Sequence, residues 1–396
     1  METSLLIGLA LIALLVFLVH YLIRRTRGDS IYRQLWFSTA IFILVGVSIG
    51  PSGLHLLDIK DINSLSPLTD ILLGWIGWLI GIEWSRKLFS LIPVKYWLIG
   101  TMENILSIVV VMTVFGGLAY LFKDLFSDPL MPEFLFLVGL CASVTSPRSI
   151  ITLTHRFSLP REVARNFAVI AHLGNLVAIF FTYMLISFLG SAHQGVFRLL
   201  PIAIVLVLGI LEALVMNWLF VYRRDTPESM LMVIGIVTFF AGAAAILQVP
   251  PFLAALMGGG FFALNYPKRQ HQLMSVLQSS ERPIYLMFVT MAAVLMPVHE
   301  PMLYITLLAF ITIRLVAKFI SGSLVKRTYS KLRKWWGTGL FLPQGALAVA
   351  IALSAYQLNP GYWYDILVAV VVLGLLINEL LGYLLIKSGG NNGAAG

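Results

Sequence analysis

Charge is what this sequence has least of. Its 27 Lys and Arg and 18 Asp and Glu make up 11% of 396 residues, against roughly a quarter in soluble domains. With 59% hydrophobic residues and a mean hydropathy of +0.92, the chain carries more apolar surface than water can solvate, which excludes a soluble globule. The one cysteine, Cys141, excludes an intrachain disulfide and reads as a small packing residue in an apolar stretch. No histidine pairs with acids at metal-ligand spacing, so no metal is expected. No phosphate-binding glycine loop, nucleophile elbow or dinucleotide fingerprint occurs, and Gly258-Gly259-Gly260 lies inside an apolar run. An enzyme is therefore the least expected class, and no cofactor is implied.

What is present is a series of apolar runs long enough to cross about 30 Å of hydrocarbon. They fall near 4–23, 35–50, 67–83, 97–122, 134–154, 163–190, 197–221, 229–246, 250–266, 283–297, 301–325, 337–356 and 364–387. Runs this long without charge are helices, so the expected class is an all-α polytopic membrane protein with about thirteen transmembrane helices. The loops alternate in basic content. One set holds Arg24, Arg25, Arg27, Arg33, Arg86, Lys87, Lys95, Arg156, Arg161, Arg165, Arg223, Arg224, Lys268, Arg269, Arg282 and the cluster from Lys326 to Lys334. The other holds Lys60, Lys123 and Arg198. By the positive-inside rule the N-terminus is outside and the C-terminus inside. The net charge of +9 is then a property of the cytoplasmic face, suited to anionic lipid headgroups and not to nucleic acid. Residues 388–396 read as a flexible tail.

Four segments carry a resemblance. Gly50-Pro51-Ser52-Gly53-Leu54 closes the second span and Ile80-Gly81-Ile82-Glu83 ends the third. Ser143-Val144-Thr145-Ser146-Pro147 interrupts the fifth, and Leu342-Pro343-Gln344-Gly345-Ala346 interrupts the twelfth. In this order and spacing they resemble the monovalent cation:proton antiporter superfamily, in particular its sodium/proton exchanger and potassium-efflux branch. The physics of the breaks agrees. Pro147 and Pro343 each remove a backbone donor, and freed backbone groups survive in lipid only against protein or a wet cavity. Two interrupted spans in matched positions are the best sequence pointer to a transporter's binding site.

The resemblance implies inverted repeats in which the fifth and twelfth spans are broken helices crossing at the membrane midplane. It implies a core bundle at 97–190 and 301–387 that moves ions past a scaffold at 1–96 and 197–297. It further implies a homodimer in a bacterial inner membrane, exchanging sodium or potassium for protons. Ala254, Ala255 and Gly258-Gly259-Gly260 in the ninth span suit close packing or sliding.

The sequence departs from that pattern at the family's ion site, an aspartate on the sixth span. The matching stretch Leu173-Gly174-Asn175-Leu176-Val177-Ala178-Ile179 places Asn175 there, and 166–187 contains no carboxylate. An amide can coordinate a cation through its oxygen but cannot titrate. Asn175→Asp is accordingly expected to add proton-linked movement. Candidate ion and proton groups are Asn175, Thr145 and Ser146 at the fifth-span break, Gln344 at the twelfth, Glu103 in the fourth span and Glu379 in the thirteenth, each alternatively structural. Glu212, mid-span in the seventh, reads as structurally paired. Arg314 and Lys318 lie four apart on one face of the eleventh span, where the family carries a basic residue. Arg314 is expected to be held by Glu103 or Glu379. Arg148 follows Pro147 at the positive end of a half-helix, and His172 lies three residues before Asn175 as a fallback proton relay.

Three functions remain open on the sequence: a cation:proton exchanger with Glu103 as the first titrating candidate; a non-transporting sensor or membrane subunit with a separate effector chain; and an anion transporter, since Arg148, Arg314, Lys318 and His172 outnumber Glu103.

Overall fold

Hydrocarbon offers no partner to a backbone amide, so apolar stretches of this length close their hydrogen bonds internally as helices. The computed structural model describes residues 31–84, 92–121, 131–157, 159–189, 199–222, 227–328 and 339–393, and among these nearly all regular structure is helical. The expected first span (4–23), residues 337–338 of the twelfth, and the basic positions 24–27, 86–87, 223–224 and 331–334 lie outside the described residues.

The helices, in chain order, are α1 (Ile31–Ile49), the short α2 (Ile59–Ser64), α3 (Ser66–Gly81), α4 (Val94–Leu121), α5 (Met131–Ser143), α6 (Pro147–Arg156), α7 (Arg161–Leu189), α8 (Leu200–Tyr222), α9 (Pro227–Ile246), α10 (Pro251–Asn265), α11 (Pro267–Val294), α12 (Pro301–Thr328), α13 (Ala346–Leu358) and α14 (Tyr362–Gly393). Among the described residues, seven helical stretches are long and apolar enough to cross a membrane, and Thr39–Ile49, Pro251–Asn265 and Ala346–Leu358 are shorter apolar helices. Proline sits in the first turn of α3, α6, α10 and α11, where its missing N–H is no loss.

Two elements differ from the expected spans. The tenth span was expected from residue 283, but α11 begins at Pro267 and runs through Pro283. Buried Gln270, Leu273, Leu277 and Ser280 recur at helical spacing along the added turns, so packing of one face holds a stretch too polar to read as a span. At the other end α14 continues to Gly393, past the Lys387 at which a flexible tail was expected to begin.

The chain divides into two compact units. The first comprises 1–91, 183–298 and 353–361; the second comprises 92–182, 299–352 and 362–396. In the first unit, α10 packs against α3 and α8, and α11 against α1. These helices touch backbone to backbone. A methyl group at Gly81 would lie 2.8 Å from Gly260 N, and one at Gly209 would lie 2.6 Å from Ala254 O, so only glycine permits the approach. In the second unit, α12 packs against α4 and α14, and α4 against α5. Here the contact between α4 and α7 depends on Gly100, where a methyl would lie 2.7 Å from Ile170 O.

Candidate functional site

The site lies in the second unit, where two stretches of unwound backbone meet. α5 stops at Ser143, and Val144, Thr145 and Ser146 are non-helical, Ser146 extended, before α6 starts at Pro147. Residues 339–345 are likewise non-helical before α13 starts at Ala346. Pro147 and Pro343 account for both, since neither can donate to a preceding turn. Ser146 caps α6, its Oγ accepting from Ser149 N at 3.2 Å. The two segments are joined directly. Ser146 N donates to Pro343 O at 2.9 Å, and Thr145 Oγ1 donates to Phe341 O at 3.1 Å. Gln344 Nε2 donates to Cys141 O at 2.9 Å and Asn378 Nδ2 to Gln344 Oε1 at 3.2 Å, tying α14 to the crossing.

The carbonyls left open by the breaks are met by cations. Arg314, wholly buried on α12, donates through Nη2 to Val144 O (2.8 Å) and Leu342 O (2.9 Å), one from each segment. One turn on, Lys318 donates to Ser143 O (2.6 Å), Thr145 Oγ1 (3.0 Å) and Glu103 Oε1 (2.8 Å). An ammonium has three protons, and all three are used. A carboxylate meets the opposite pole. Ser149 Oγ, in the first turn of α6, donates to Glu379 Oε1 at 3.1 Å. Positive groups thus stand where helices end in carbonyls and a negative group stands where one begins in N–H groups, the arrangement helix dipoles favour.

Glu103 and Lys318 form a buried ion pair. Glu103 Oε1 also accepts from Ser107 Oγ (3.2 Å) and Ser321 Oγ (3.3 Å), one turn along α4 and nearly one along α12. Such added hydrogen bonds are what make a desolvated pair tolerable. Asn104 Nδ2 also reaches Ser143 O at 3.4 Å, and its Oδ1 is buried without a partner.

Asn175 on α7 uses both ends of its amide on one residue. Its Oδ1 accepts from Thr145 N at 3.1 Å and its Nδ2 donates to Thr145 O at 2.8 Å. The amide completes the hydrogen bonding of an unwound residue that has no helical partner.

The structure therefore brings together Glu103, Thr145, Ser146, Asn175, Arg314, Lys318 and Gln344, with Pro147, Pro343 and Gly345 shaping the backbone. A methyl at Gly345 would lie 3.2 Å from Ser146 Cβ. Glu379 joins through Ser149 at the start of α6. Arg148 is half-buried in that first turn, and His172 half-buried on α7. One expectation is corrected. Arg314 is held by main-chain carbonyls and not by a carboxylate, because Lys318 occupies Glu103; Arg314 Nε and Nη1 are buried without hydrogen-bond partners. Asn104, Ser107, Ser321 and Asn378 were missed by the sequence reading. Their signal was available as polar residues adjacent to Glu103 or Glu379, or one turn from Glu103 or Lys318, within otherwise apolar spans.

A model of the transmembrane region of sodium/hydrogen exchangers matches residues 10–382. The chain belongs to the sodium/hydrogen exchanger family. That family consists of membrane transporters and not enzymes. Among solved structures, the sodium proton antiporter MjNhaP1 from Methanocaldococcus jannaschii at pH 8 matches with a TM-score of 0.64 at 14% identity, over 97% of each chain. An electron-microscopy structure of MjNhaP1 matches with a TM-score of 0.60 at 14% identity, over 97% of this chain and 96% of that one. At this identity the likeness shows the exchanger fold. A search of curated protein sequences finds no match.

Proposed function

We propose that this exchanger-family protein moves a monovalent cation, sodium or potassium, in exchange for protons, and that the exchange centre is Glu103 with Lys318. The observation that carries the reading is the cage around the Lys318 ammonium: a carboxylate oxygen, a main-chain carbonyl and a hydroxyl at 2.6–3.0 Å. These are the oxygen ligands that a dehydrated monovalent cation takes. Protonated Lys318 and a bound cation compete for the same three oxygens, so the cage holds one of them at a time. When Lys318 Nζ gives up a proton, Glu103 keeps its negative charge and a cation enters; when the cation leaves, the proton returns. Asn175, which cannot titrate, holds Thr145 in the unwound conformation that aims its hydroxyl into the cage. The second unit would be the transporting core. The alternation of basic loops supports an inside C-terminus, and the family resemblance supports a homodimer in a bacterial inner membrane.

Proteoliposomes loaded with sodium or potassium and monitored for internal pH test this reading. Wild-type protein is expected to move protons against either cation, Glu103→Gln to abolish the movement, and Lys318→Met to leave cation movement that no longer depends on pH. A wild type that moves no ion, or a Lys318→Met variant with unchanged proton coupling, would overturn it. A second reading is favoured by one observation: the buried Nε and Nη1 of Arg314 lack acceptors, which suits an anion. The same vesicles given chloride or nitrate gradients separate the two readings.

A further inference from the structure

The exchange centre leaves the most deeply buried of the described acids unused. Glu212, on α8 of the first unit, is 1% exposed. Its Oε1 accepts from the indole Nε1 of Trp78 on α3, and its Oε2 is buried with no partner. Trp78 is the only hydrogen-bond partner of Glu212 among the described residues. A methyl at Gly258 on α10 would lie 3.3 Å from Glu212 Oε2, 3.3 Å from Trp78 Cζ2 and 3.1 Å from Gly209 O. The absence of a side chain at Gly258 is what leaves room for the carboxyl group.

Among the described residues no cation hydrogen-bonds to it. α10 carries no charged residue, α8 carries no other between Leu200 and Tyr222, and α3 carries only Asp70, which accepts from Gln357 Nε2 at 2.7 Å. On α9 the charged residue is Glu228, in the first turn. On α11 they are Lys268, Arg269, Glu281 and Arg282, of which Arg269 bonds to the Asn217 side chain and carbonyl on α8. An ionised carboxylate here would have one indole N–H to replace its whole hydration shell. A neutral acid surrenders far less on burial.

We propose that Glu212 is a proton-binding site separate from the exchange centre: it carries a proton in the folded protein and, as a neutral carboxylic acid, joins α8 to α3 through Trp78. The proton is a bound ligand of the first unit. Its loss would put an unpaired charge where Trp78 of α3, Glu212 of α8 and Gly258 of α10 meet. By linkage, a group that keeps its proton in the folded state after the unfolded chain would have released it makes stability fall as pH rises.

Infrared spectroscopy of the purified full-length protein at pH 7 in light and heavy water tests this directly. Wild type minus Glu212→Gln is expected to show the C=O stretch of one neutral carboxylic acid per chain, displaced by deuterium. Trp78→Phe should shift that stretch to higher frequency, because the indole hydrogen bond is gone; this variant carries the test if Glu212→Gln does not fold. The melting temperature of wild type should fall more steeply on raising pH than that of Glu212→Gln. A difference spectrum showing an ionised carboxylate, or an acid band that Trp78→Phe leaves unmoved, would overturn the proposal.

Discussion

The second unit gathers Glu103, Lys318, Arg314, Asn175 and Gln344 around two stretches of unwound backbone, whereas the first unit sets Glu212 among helices that touch through glycine. Both solve the same problem, polar groups away from water, by different means. In the second unit the broken helices release carbonyls and N–H groups, and side-chain charges answer them one by one. In the first unit α3, α8 and α10, which surround the acid, run without an internal break and pack closely about it. The difference teaches where chemistry is affordable. Unwound backbone supplies oxygen ligands and anchors for cations, and intact helices at van der Waals contact supply neither.

The sharpest way to break that comparison is to remove the anion of the ion pair. Glu103→Ala leaves the Lys318 ammonium buried without its countercharge and should destabilise the protein by about 3–5 kcal/mol. The expected result is a large fall in melting temperature in detergent, most of it recovered in the Glu103→Gln/Lys318→Met double variant. A single variant that melts like wild type would show that Lys318 is not held as the geometry indicates.

Packing in the first unit is the next lever. Gly81→Ala drives a methyl against the backbone of α10 and should cost about 1–3 kcal/mol by overpacking, read as a lower melting temperature. Gly242 on α9 has nothing within 4 Å of a built methyl, so Gly242→Ala should be neutral or stabilise by up to about 1 kcal/mol through helix propensity. Equal effects at the two positions would mean that glycine in this unit serves no close contact.

Asn175→Asp gives a smaller but more pointed result. Family resemblance makes it a restoration of a titratable site, and on the sequence it was expected to strengthen proton coupling. The geometry reverses that expectation. An aspartate loses the donor to Thr145 O and turns an oxygen toward that carbonyl, a loss of about 1–3 kcal/mol for the unsatisfied buried group. Melting temperature and proton flux in vesicles should both fall; a rise in cation-dependent flux would show that the amide is not a clamp. Smallest of all, Thr145→Ser keeps the hydroxyl that links Lys318 to Phe341 O and should preserve flux, while Thr145→Val removes it and should weaken the cage by roughly 1 kcal/mol, seen as a higher apparent KM for cation.

How much of this was legible in the sequence can be followed residue by residue. The break at Ser146-Pro147 was, because proline's missing donor is a covalent fact that no packing can reverse. The end of α3 at Gly81 was too. The extent of α11 was not, since its added turns are held by Leu273 and Leu277 on one face while the other face stays polar, and average hydropathy conceals that. Arg314 and Lys318 were legible as a pair on one helix face, yet their division of labour was not. Four residues of spacing cannot say which head meets Glu103 and which meets Val144 O and Leu342 O.

The sequence by itself determined that this is a membrane-embedded helical chain, that two of its spans are interrupted by proline, and that its sixth apolar run lacks an acid. Those follow from composition and covalent geometry, which act locally. Only the tertiary structure decided that Lys318 takes the carboxylate, that Asn175 spends both ends of its amide on Thr145, and that Glu212 meets the Trp78 indole. Those depend on which residues, 215 positions apart for Lys318 and Glu103, the helices bring within hydrogen-bonding distance, and a side chain buried in a bundle takes the partner that packing leaves within its reach.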